Sequence, residues 1–299
     1  MRLLPAALAA IVVVATLAAP GHTQQRLKRL LEQRREAGPV VPLPAGTRVE
    51  RDIAYGPHPK QRFDVYLPAQ IQARAPILFM VHGGGWRIGD KGSRGVTGNK
   101  AAHWVAKGFV FVSTNNRLLP DADPVQQARD VATAVAAVQA RAMQWGADPQ
   151  RMVLMGHSAG AHLVALLGAS PSLLAGAGAR APRGVVSLDS AAMDVPEMMK
   201  KPLLPDLYNN AFGTDREFWV AASPSHQLTR NGLPMLIVCS SRRNDACPQG
   251  RALTEKAARL GVPMLVLPQD LSHGQVNHEL GLPSAYTRAV AGWIDRALK

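Results

Sequence analysis

The alternation of short apolar runs with helical patterns from Pro76 onwards is the feature that most restricts the fold of this chain. Between the runs, apolar residues recur at helical spacing over residues 99–107, 123–144, 249–260 and 285–298. Parallel strands cannot be joined by a tight turn and need a crossover connection, which is usually a helix. The alternation therefore predicts the α/β class, with a mostly parallel central sheet and helices on both faces. The predicted strands are residues 77–81, 109–114, 152–155, 184–188, 235–239 and 263–267.

Two further segments add local expectations. Residues 47–55 and 62–67 are rich in β-formers and flank a turn-forming Gly-Pro-His-Pro sequence, which predicts an N-terminal antiparallel hairpin. Residues 190–226 interrupt the alternation of strand and helix and predict a short cap insertion. With 299 residues, of which 47% are hydrophobic and 18% charged, the composition is that of a globular protein. We expect one large domain over residues 47–299.

The first residues have the pattern of a targeting segment. A basic start, an apolar run and then small residues predict a signal peptide over residues 1–23. Pro20 disfavours cleavage directly before it, so the predicted cleavage site lies between Ala18 and Thr23. An uncleaved N-terminal anchor is the alternative. Cleavage would give a secreted or periplasmic protein without a transmembrane span, in which residues 24–46 form a basic leader helix and a proline-rich linker.

The chain is strongly basic, with 34 Lys and Arg against 21 Asp and Glu and a formal net charge of +13. A balance of this kind raises the question of a nucleic-acid partner. The basic residues are scattered, however, and an aromatic content of 5% leaves no row of aromatic side chains on which bases could stack. We therefore expect no nucleic-acid partner.

Cys239 and Cys247 are the only cysteines in the sequence. Export permits a disulfide, and a bond between these two residues would close a small loop. The alternative is a buried thiol on the predicted strand 235–239 and an unrelated thiol in the loop that follows. Spacing alone leaves both alternatives open.

The sequence G-H-S-A-G, from Gly156 to Gly160, joins the apolar run 152–155 to an apolar helix. In this strand–turn–helix context, G-x-S-x-G holds a serine on a turn so sharp that side chains two positions away would collide. The turn pushes the hydroxyl of Ser158 clear of the backbone, and the N–H groups of the following helix point at the same place. We predict that Ser158 is a nucleophile and that Ala159 N–H donates to an oxyanion.

A glycine-rich loop, H-G-G-G-W over residues 82–86, directly follows the predicted strand 77–81. Acyl transfer needs N–H groups aimed at the oxygen that becomes negative, and residues without a Cβ let a substrate come close to them. We predict that Gly83 and Gly84 are further oxyanion donors. His82 is expected to anchor the loop and not to act as a base.

A serine hydroxyl becomes a strong nucleophile only when a base takes its proton. His273 and His278 lie in the loop after the last predicted strand, where sheets with the chain order Ser–Asp–His carry the base. His273 comes first in this loop and is closer to the strand end. We predict that His273 is the base, with His278 as the alternative.

The base needs a carboxylate that fixes its tautomer and its orientation. Asp245 follows the predicted strand 235–239, and the neighbouring Arg242 and Arg243 would keep it ionised by their opposite charge. We predict that Asp245 is this carboxylate. Asp189, which follows another predicted strand, is the reserve candidate.

Together these motifs resemble the α/β-hydrolase superfamily, and more narrowly the HGGG-type carboxylesterases of its hormone-sensitive-lipase-like and bacterial feruloyl-esterase-like branches. The resemblance covers the chain from about Arg48 to its C-terminus. One departure is Asn115-Asn116, where many relatives have an aromatic residue before the Arg-Leu pair. The segments that carry the resemblance are His82–Trp86, Arg117–Pro120, Trp145–Asp148, Gly156–Gly160, Asp245 and His273.

The resemblance implies an α/β-hydrolase fold and a serine esterase that cleaves carboxylic esters through an acyl-enzyme. It implies no metal and no organic cofactor, and the expected partner is a small-molecule ester. The positions that match the triad are Ser158, His273 and Asp245, and those that match the oxyanion donors are Gly83, Gly84 and Ala159.

Apolar and aromatic side chains in the cap insertion and beside the glycine loop are candidates for the walls of a substrate pocket. The predicted substrate-binding residues are Trp86, Met193, Tyr208, Phe212 and Trp219. The same side chains could instead only attach the cap to the body. The alternatives in function are a feruloyl or acetyl esterase acting on plant-polymer esters, an arylformamidase-like or amidase-like hydrolase and, last, a non-catalytic binding protein.

Overall fold

The computed structural model describes residues 40–299, so the predicted signal peptide and leader helix lie outside the described residues. The strands are β1 Arg48–Ala54, β2 Arg62–Leu67, β3 Ala75–Val81, β4 Val110–Thr114, β5 Ala147–His157, β6 Gly184–Leu188, β7 Met235–Ser240 and β8 Met264–Gln269. They form one sheet in the order β1-β2-β4-β3-β5-β6-β7-β8. β2 is antiparallel to both β1 and β4, and every pair from β4 to β8 is parallel. The predicted hairpin and mostly parallel sheet are confirmed.

Helices fill the connections between the parallel strands. In residues 40–299 they are α1 Gly98–Ala106, α2 Pro124–Arg141, α3 Ala159–Ala169, α4 Ser172–Gly176, α5 Val195–Met199, α6 Asp206–Phe212, α7 Arg216–Ala221, α8 Pro224–Gln227, α9 Ala246–Leu260, α10 His273–His278 and α11 Ala285–Ala297. None of the helices described here combines the length and the apolarity that crossing a membrane requires.

The core consists of two apolar layers, one on each face of the sheet. Along β3, Ile77 and Phe79 belong to one layer, whereas Leu78 and Met80 belong to the other. This alternation is the period of two that a strand buried on both faces must have. Side chains of α2 and α3 cover the first layer, and those of α1 and α11 cover the second. The loops after the carboxyl ends of the strands gather at one end of the sheet, where parallel sheets bind ligands.

Local signals set the limits of α2, which packs beside the site. Asp123 caps the helix by accepting a hydrogen bond from Gln126 N–H at 2.8 Å. Pro124 occupies the first turn, where a proline has no helical hydrogen bond to lose. The predicted helix to residue 144 ends as a 3-10 turn, because Gly146 adopts a left-handed conformation with φ 67°.

The segment between β6 and β7 contains the four short helices α5 to α8 instead of a single crossover helix. This is the region in which residues 190–226 were expected to interrupt the alternation. Phe212 of α6 packs edge-on against Trp86, with the ring centroids 4.9 Å apart. The insertion therefore lies against the glycine loop.

Cys239 and Cys247 form a disulfide that joins the end of β7 to the first turn of α9. Their Cα atoms are 5.2 Å apart, and both side chains are buried. The bond spans a sequence separation of 8 and encloses residues 240–246. Of the two alternatives for these cysteines, the structure has the disulfide.

Replacing both cysteines by alanine should lower the free energy of unfolding by about 2.5 kcal/mol, because closing a loop of this length restricts the unfolded chain by roughly that amount. Urea unfolding of the oxidised wild type and of Cys239→Ala/Cys247→Ala measures the difference. Reduced wild type is the matched control and should unfold at the same urea concentration as the double variant. Equal stability of the oxidised wild type and the double variant would contradict the prediction.

Candidate active site

The turn at Ser158 joins β5 to α3 and has the tight geometry that its two flanking glycines predict. Ser158 has φ 55°, in the left-handed region that residues with side chains rarely adopt. A Cβ on Gly156 would lie 2.2 Å from the carbonyl oxygen of Gly160, and a Cβ on Gly160 would lie 2.4 Å from that of His82. Both positions therefore require glycine. The turn is held by Ser158 N–H, which donates to the Leu188 carbonyl at 2.9 Å.

Gly160→Ala should lower the free energy of unfolding by about 3 kcal/mol or more, because the added methyl group must displace backbone rather than a flexible side chain. Gly176→Ala in α4 is the matched control, since a Cβ there meets nothing within 4 Å and alanine favours a helix. Urea unfolding of both variants measures the two effects. A Gly160→Ala variant as stable as Gly176→Ala would show that the turn is not tightly packed.

The glycine loop lies directly against this turn. A Cβ on Gly83 would come within 2.8 Å of the His157 carbonyl oxygen and 3.0 Å of Ser158 Cβ. Gly84 adopts φ 124°, a conformation that favours glycine. Ala159, the third predicted donor, begins α3 and follows Ser158 directly. The backbone of the loop is thus packed against the turn that carries Ser158, which is where donors to an oxyanion from this loop are expected.

His82 has the surroundings of an anchor. It is buried, and its Nδ1 lies 2.8 Å from the Gly83 carbonyl, which can only accept, so we assign the ring proton to Nδ1. Burial lowers the pKa of His82, and the ring is therefore neutral at physiological pH. This agrees with the expectation that His82 supports the loop and is not the base.

Amide side chains fix the far end of the glycine loop. Asn115, one of the residues that depart from the family pattern, accepts from Lys91 N–H at 2.6 Å and donates to Asp90 at 2.9 Å. Gln127 of α2 donates to the Trp86 carbonyl at 2.8 Å. Neither role could be predicted from the sequence, because a buried amide leaves no periodic signal there.

His273 pairs with Asp189, and this pair is the electrostatic centre of the site. Nδ1 of His273 and Oδ2 of Asp189 are 2.6 Å apart, and Oδ1 accepts from Ser240 N–H at 2.8 Å. Burial alone would raise the pKa of Asp189, but the hydrogen bonds from His273 and Ser240 and the charge of Arg243 outweigh it and lower the pKa to about 2. An ionised Asp189 only accepts, so Nδ1 carries the ring proton and Nε2 can accept another.

The prediction that Asp245 is the partner of His273 is wrong. Both oxygens of Asp245 accept hydrogen bonds from Arg243, each at 2.9 Å. Asp189, the reserve candidate, reaches His273 from the end of β6, where its N–H donates to the Val238 carbonyl at 2.8 Å. The physical reason is that a cation occupies the space beside the base at the end of β7, since Arg243 Nη1 lies 2.8 Å from His273 Nδ1.

The predicted base lies at the start of α10, a helix that the sequence analysis interpreted as a loop. Ser272 accepts from Gln275 N–H at 3.2 Å, and the Gln275 side chain accepts from Ser272 N–H at 2.9 Å. This capping box, with the sequence S-H-G-Q over residues 272–275, is the signal that identifies the helix in the sequence. The alternative base, His278, is the last residue of α10, and its carbonyl accepts from Asn99 at 2.7 Å. The structure thus places His273, and not His278, beside a carboxylate.

His157, in the middle of G-x-S-x-G, has a role that the sequence analysis missed. Its Nε2 donates to the His273 carbonyl at 3.0 Å, and the two imidazole centroids are 4.5 Å apart. Burial, reinforced by the charges of His273 and Lys100, lowers the pKa of His157 well below its usual value, so the ring is neutral. The residue before the predicted nucleophile therefore holds the backbone of the predicted base.

Ser158, His273 and Asp189 line one cavity of about 300 Å³ at the carboxyl end of the sheet. Among residues 40–299, the imidazole of His273 is hydrogen-bonded through Nδ1 to Asp189, and it makes no hydrogen bond to Ser158 Oγ. Hydrogen bonds between a nucleophile and its base are often long before substrate binds and shorten in the complex. The residues around the cavity are Gly85, Trp86, Ser158, Ala159, Asp189, Ser190, Ala191, Pro205, Leu207, Tyr208, Arg243, Asp245 and His273.

Of the five predicted substrate-binding residues, Trp86 and Tyr208 line this cavity. The other three attach the cap to the body, which was the alternative for all five. Met193 is fully buried in the core, and Phe212 packs against Trp86. Trp219 Nε1 donates to the Phe212 carbonyl at 3.0 Å. The four short helices α5 to α8 need a small core to fold onto the body, and these large side chains contribute to it.

Esterases of known structure share this fold. Esterase B from Lactobacillus rhamnosis matches with a TM-score of 0.71 over 93% of this chain and 93% of its own length, at 21% sequence identity. The chain therefore has the α/β-hydrolase fold. A family model described as BD-FAE matches residues 63–176 of this chain, the part that contains both the glycine loop and the G-x-S-x-G turn.

Curated relatives of this chain are more similar to it in sequence, over shorter segments. The chain is 32% identical over 119 residues to a probable isoprenylcysteine alpha-carbonyl methylesterase of Oryza sativa, which is 40% of this chain and 27% of that protein. It is 31% identical over 121 residues to the kynurenine formamidase of Danio rerio, which is 40% of this chain and 39% of that protein. The chain thus spans less than half the length of these relatives.

Proposed function

We propose that this α/β-hydrolase is a serine esterase, with Ser158 as nucleophile, His273 as base and Asp189 as the carboxylate that orients the base. The observation that carries the proposal is the 2.6 Å contact between His273 Nδ1 and Asp189 Oδ2, in the same cavity as a serine on a strained turn. An imidazole held in this way donates from one nitrogen and can accept a proton on the other. The esterases among the relatives support an ester as the substrate.

In the first half of the reaction, Ser158 Oγ attacks the carbonyl carbon of the ester while His273 Nε2 takes the hydroxyl proton. The carbonyl oxygen becomes negative and accepts hydrogen bonds from the N–H groups of Gly83, Gly84 and Ala159. When the tetrahedral intermediate collapses, the bond to the leaving oxygen breaks and Nε2 returns its proton to that oxygen. The alcohol leaves, and an acyl-serine remains.

Water completes the reaction. His273 takes a proton from a water molecule, whose oxygen attacks the acyl carbon, and the second tetrahedral intermediate forms in the same oxyanion site. On its collapse the proton passes to Ser158 Oγ and the carboxylic acid leaves. Asp189 stays ionised throughout, because its pKa is about 2, and its charge stabilises the imidazolium in both halves.

The dimensions of the site leave room for a substrate that extends beyond the ester group at the serine. The cavity of about 300 Å³ adjoins a second one of about 420 Å³, and the two share Ala191, Pro205, Tyr208 and Asp245. The walls of the second cavity are mixed, with Met198 and Leu204 beside Lys201 and Asn244. A series of p-nitrophenyl esters of increasing acyl length, with methyl ferulate and acetyl-xylan beside it, separates simple, feruloyl and acetyl ester substrates.

Hydrolysis of a formamide or another amide is the second candidate, and the similarity to a kynurenine formamidase supports it. The same serine, histidine and aspartate would carry out that reaction. Comparing kcat/KM for matched p-nitrophenyl esters and p-nitroanilides distinguishes the two. A preference for the anilide would favour the amidase.

Ser158→Ala should lower kcat for ester hydrolysis by on the order of 10⁴ to 10⁶, because the acyl group then has no acceptor on the protein. It should also abolish labelling by a fluorophosphonate probe, while circular dichroism shows an unchanged fold. Activity within about tenfold of wild type would contradict the role of Ser158. A folded wild type that neither reacts with the probe nor hydrolyses any ester would support a binding protein instead.

Asp189→Asn should lower kcat by on the order of 10⁴, because an amide can leave the imidazole in the wrong tautomer. Asp245→Asn is the matched control and should cost less than about tenfold, because Asp245 binds Arg243 and not His273. Steady-state kinetics of both variants on one ester measure the difference. The opposite order of effects would return Asp245 to the triad.

We also propose that the protein is exported. The signal-peptide pattern of residues 1–23 supports this, and so does the Cys239–Cys247 bond, because disulfides persist in oxidising compartments. Fractionation of cells that produce the full chain tests the proposal, and recovery of all the protein in the cytoplasm would contradict it.

A further inference from the structure

Arg243 occupies the place at the end of β7 where the sequence predicted a carboxylate for the base. Its Nη1 donates to Asp189 Oδ2 at 3.0 Å, while Nε and Nη2 donate to the two oxygens of Asp245 at 2.9 Å each. Nη1 is also 2.8 Å from His273 Nδ1. The side chain is 24% exposed and lines the cavity that contains Ser158. One cation thus touches the proposed base, its carboxylate and a second carboxylate.

We propose that Arg243 is a positioning residue, which holds the Asp189 carboxylate against His273 and prevents Asp245 from competing for the imidazole. The inference rests on the proposed function, because it concerns the same base. Arg243 need not touch the substrate in this role. It acts through the two side chains on which proton transfer depends.

Nδ1 of His273 could accept from Arg243 Nη1 at 2.8 Å only if it carried no proton, and its shorter contact with Asp189 decides between the two arrangements. If Nδ1 carried no proton, its lone pair would face a carboxylate oxygen of Asp189 at 2.6 Å, which is a repulsive contact. Nδ1–H therefore donates to Asp189 Oδ2, and Arg243 Nη1 donates to the same oxygen at 3.0 Å. The guanidinium and the imidazole share one acceptor, so the guanidinium limits the directions in which the imidazole can turn.

The charge balance of the site also depends on Arg243. Asp189 is fully buried, and the side chain of Asp245, 25% exposed, lines the same cavity as His273. Without Arg243, Asp245 would lose the partner of both its oxygens and would attract the imidazolium away from Asp189. The planar guanidinium binds Asp245 through two parallel hydrogen bonds and still reaches Asp189 with its third nitrogen, an arrangement that an ammonium group cannot reproduce.

Removing Arg243 should also change the pH dependence of the reaction. Its guanidinium contacts the imidazole of His273 directly, whereas Lys100 binds further along α10, where its Nζ donates to Asn277 Oδ1 at 2.8 Å. Loss of the contacting cation favours the protonated imidazole, so the acidic limb of kcat/KM should move to higher pH. The charged and titratable groups that face His273 are Asp189 after β6, Arg243 and Asp245 after β7, His157 in β5 and Tyr208 in α6.

The experiment compares Arg243→Met, Arg243→Lys and Arg243→Ala with the wild type on an ester that the wild type hydrolyses. Arg243→Met should lower kcat by on the order of 10- to 100-fold, with KM little changed, because residues that orient a functional side chain through a hydrogen bond contribute about this much at metal sites. The acidic limb of kcat/KM for Arg243→Met should lie at higher pH than that of wild type. Arg243→Lys keeps the positive charge, so it should leave this limb in place and lower kcat less than Arg243→Met does. Tens of millimolar guanidinium should restore part of the kcat of Arg243→Ala, and an equal concentration of sodium chloride should not.

Arg242→Met is the matched control. Arg242 is the neighbouring arginine, but it pairs with Asp270 and does not line the cavity, so its loss should change kcat by less than about twofold. Circular dichroism of each variant identifies any that does not fold. If Arg243→Met and Arg243→Ala do not fold, Arg243→Lys decides the question.

Three results would overturn the inference. The first is a folded Arg243→Met variant whose kcat is within about twofold of wild type and whose pH profile is unchanged. The second is a folded Arg243→Ala variant with reduced kcat that guanidinium does not restore. The third is an Arg243→Lys variant with the kcat of wild type. Failure of the proposed function looks different. In that case the wild type hydrolyses no ester, or Ser158→Ala remains active, whatever residue stands at position 243.

Discussion

Backbone hydrogen bonds at the carboxyl ends of β5, β6 and β7 determine where the functional side chains lie. Ser158 N–H donates to the Leu188 carbonyl, and Asp189 N–H donates to the Val238 carbonyl, so the pairing of parallel strands continues one residue beyond β5 and β6. Both residues then leave the ladder in the left-handed conformation, each with φ 55°. The proposed nucleophile and its proposed carboxylate are therefore positioned by the most regular part of the molecule, and only the proposed base comes from a separate helix, α10. That helix is in turn attached to the sheet by the bond from His157 to the His273 carbonyl.

Residues in a left-handed conformation persist only where the surrounding structure leaves the chain no alternative. The two apolar layers supply that constraint, because they exclude water from both faces of the central strands and leave the backbone groups of β5 and β6 no partners except each other. Trp86, a third residue with positive φ, is held by the Gln127 side chain and by the ring of Phe212. Burial of the sheet therefore maintains the unfavourable backbone conformations at the site.

The parts of the site that could be predicted from the sequence are those whose backbone geometry demands particular residues. The turn at Ser158 excludes any Cβ at Gly156 and Gly160, so the G-x-S-x-G pattern identifies the turn in the sequence. The run of glycines after β3 identifies the glycine loop in the same way. The carboxylate that pairs with His273 could not be identified in this way. Asp189 and Asp245 both follow parallel strands, so the order of strands in the sequence does not distinguish them. What separates them is the space that Arg243 occupies, and this depends on packing in three dimensions. The same limit applies to the cap, where Tyr208 lines the cavity and Phe212 does not, although both belong to α6.

The disulfide described above has a consequence for the loop that it encloses. Between Cys239 and Cys247 the chain can follow few backbone paths, so most of the freedom that an open loop would lose on ordering has been removed by the cross-link. Arg243 and Asp245 are thereby held beside the proposed base before any ligand arrives. Their exposed neighbour Asn244 lines the second cavity, so the same cross-link also restricts part of the wall of that cavity.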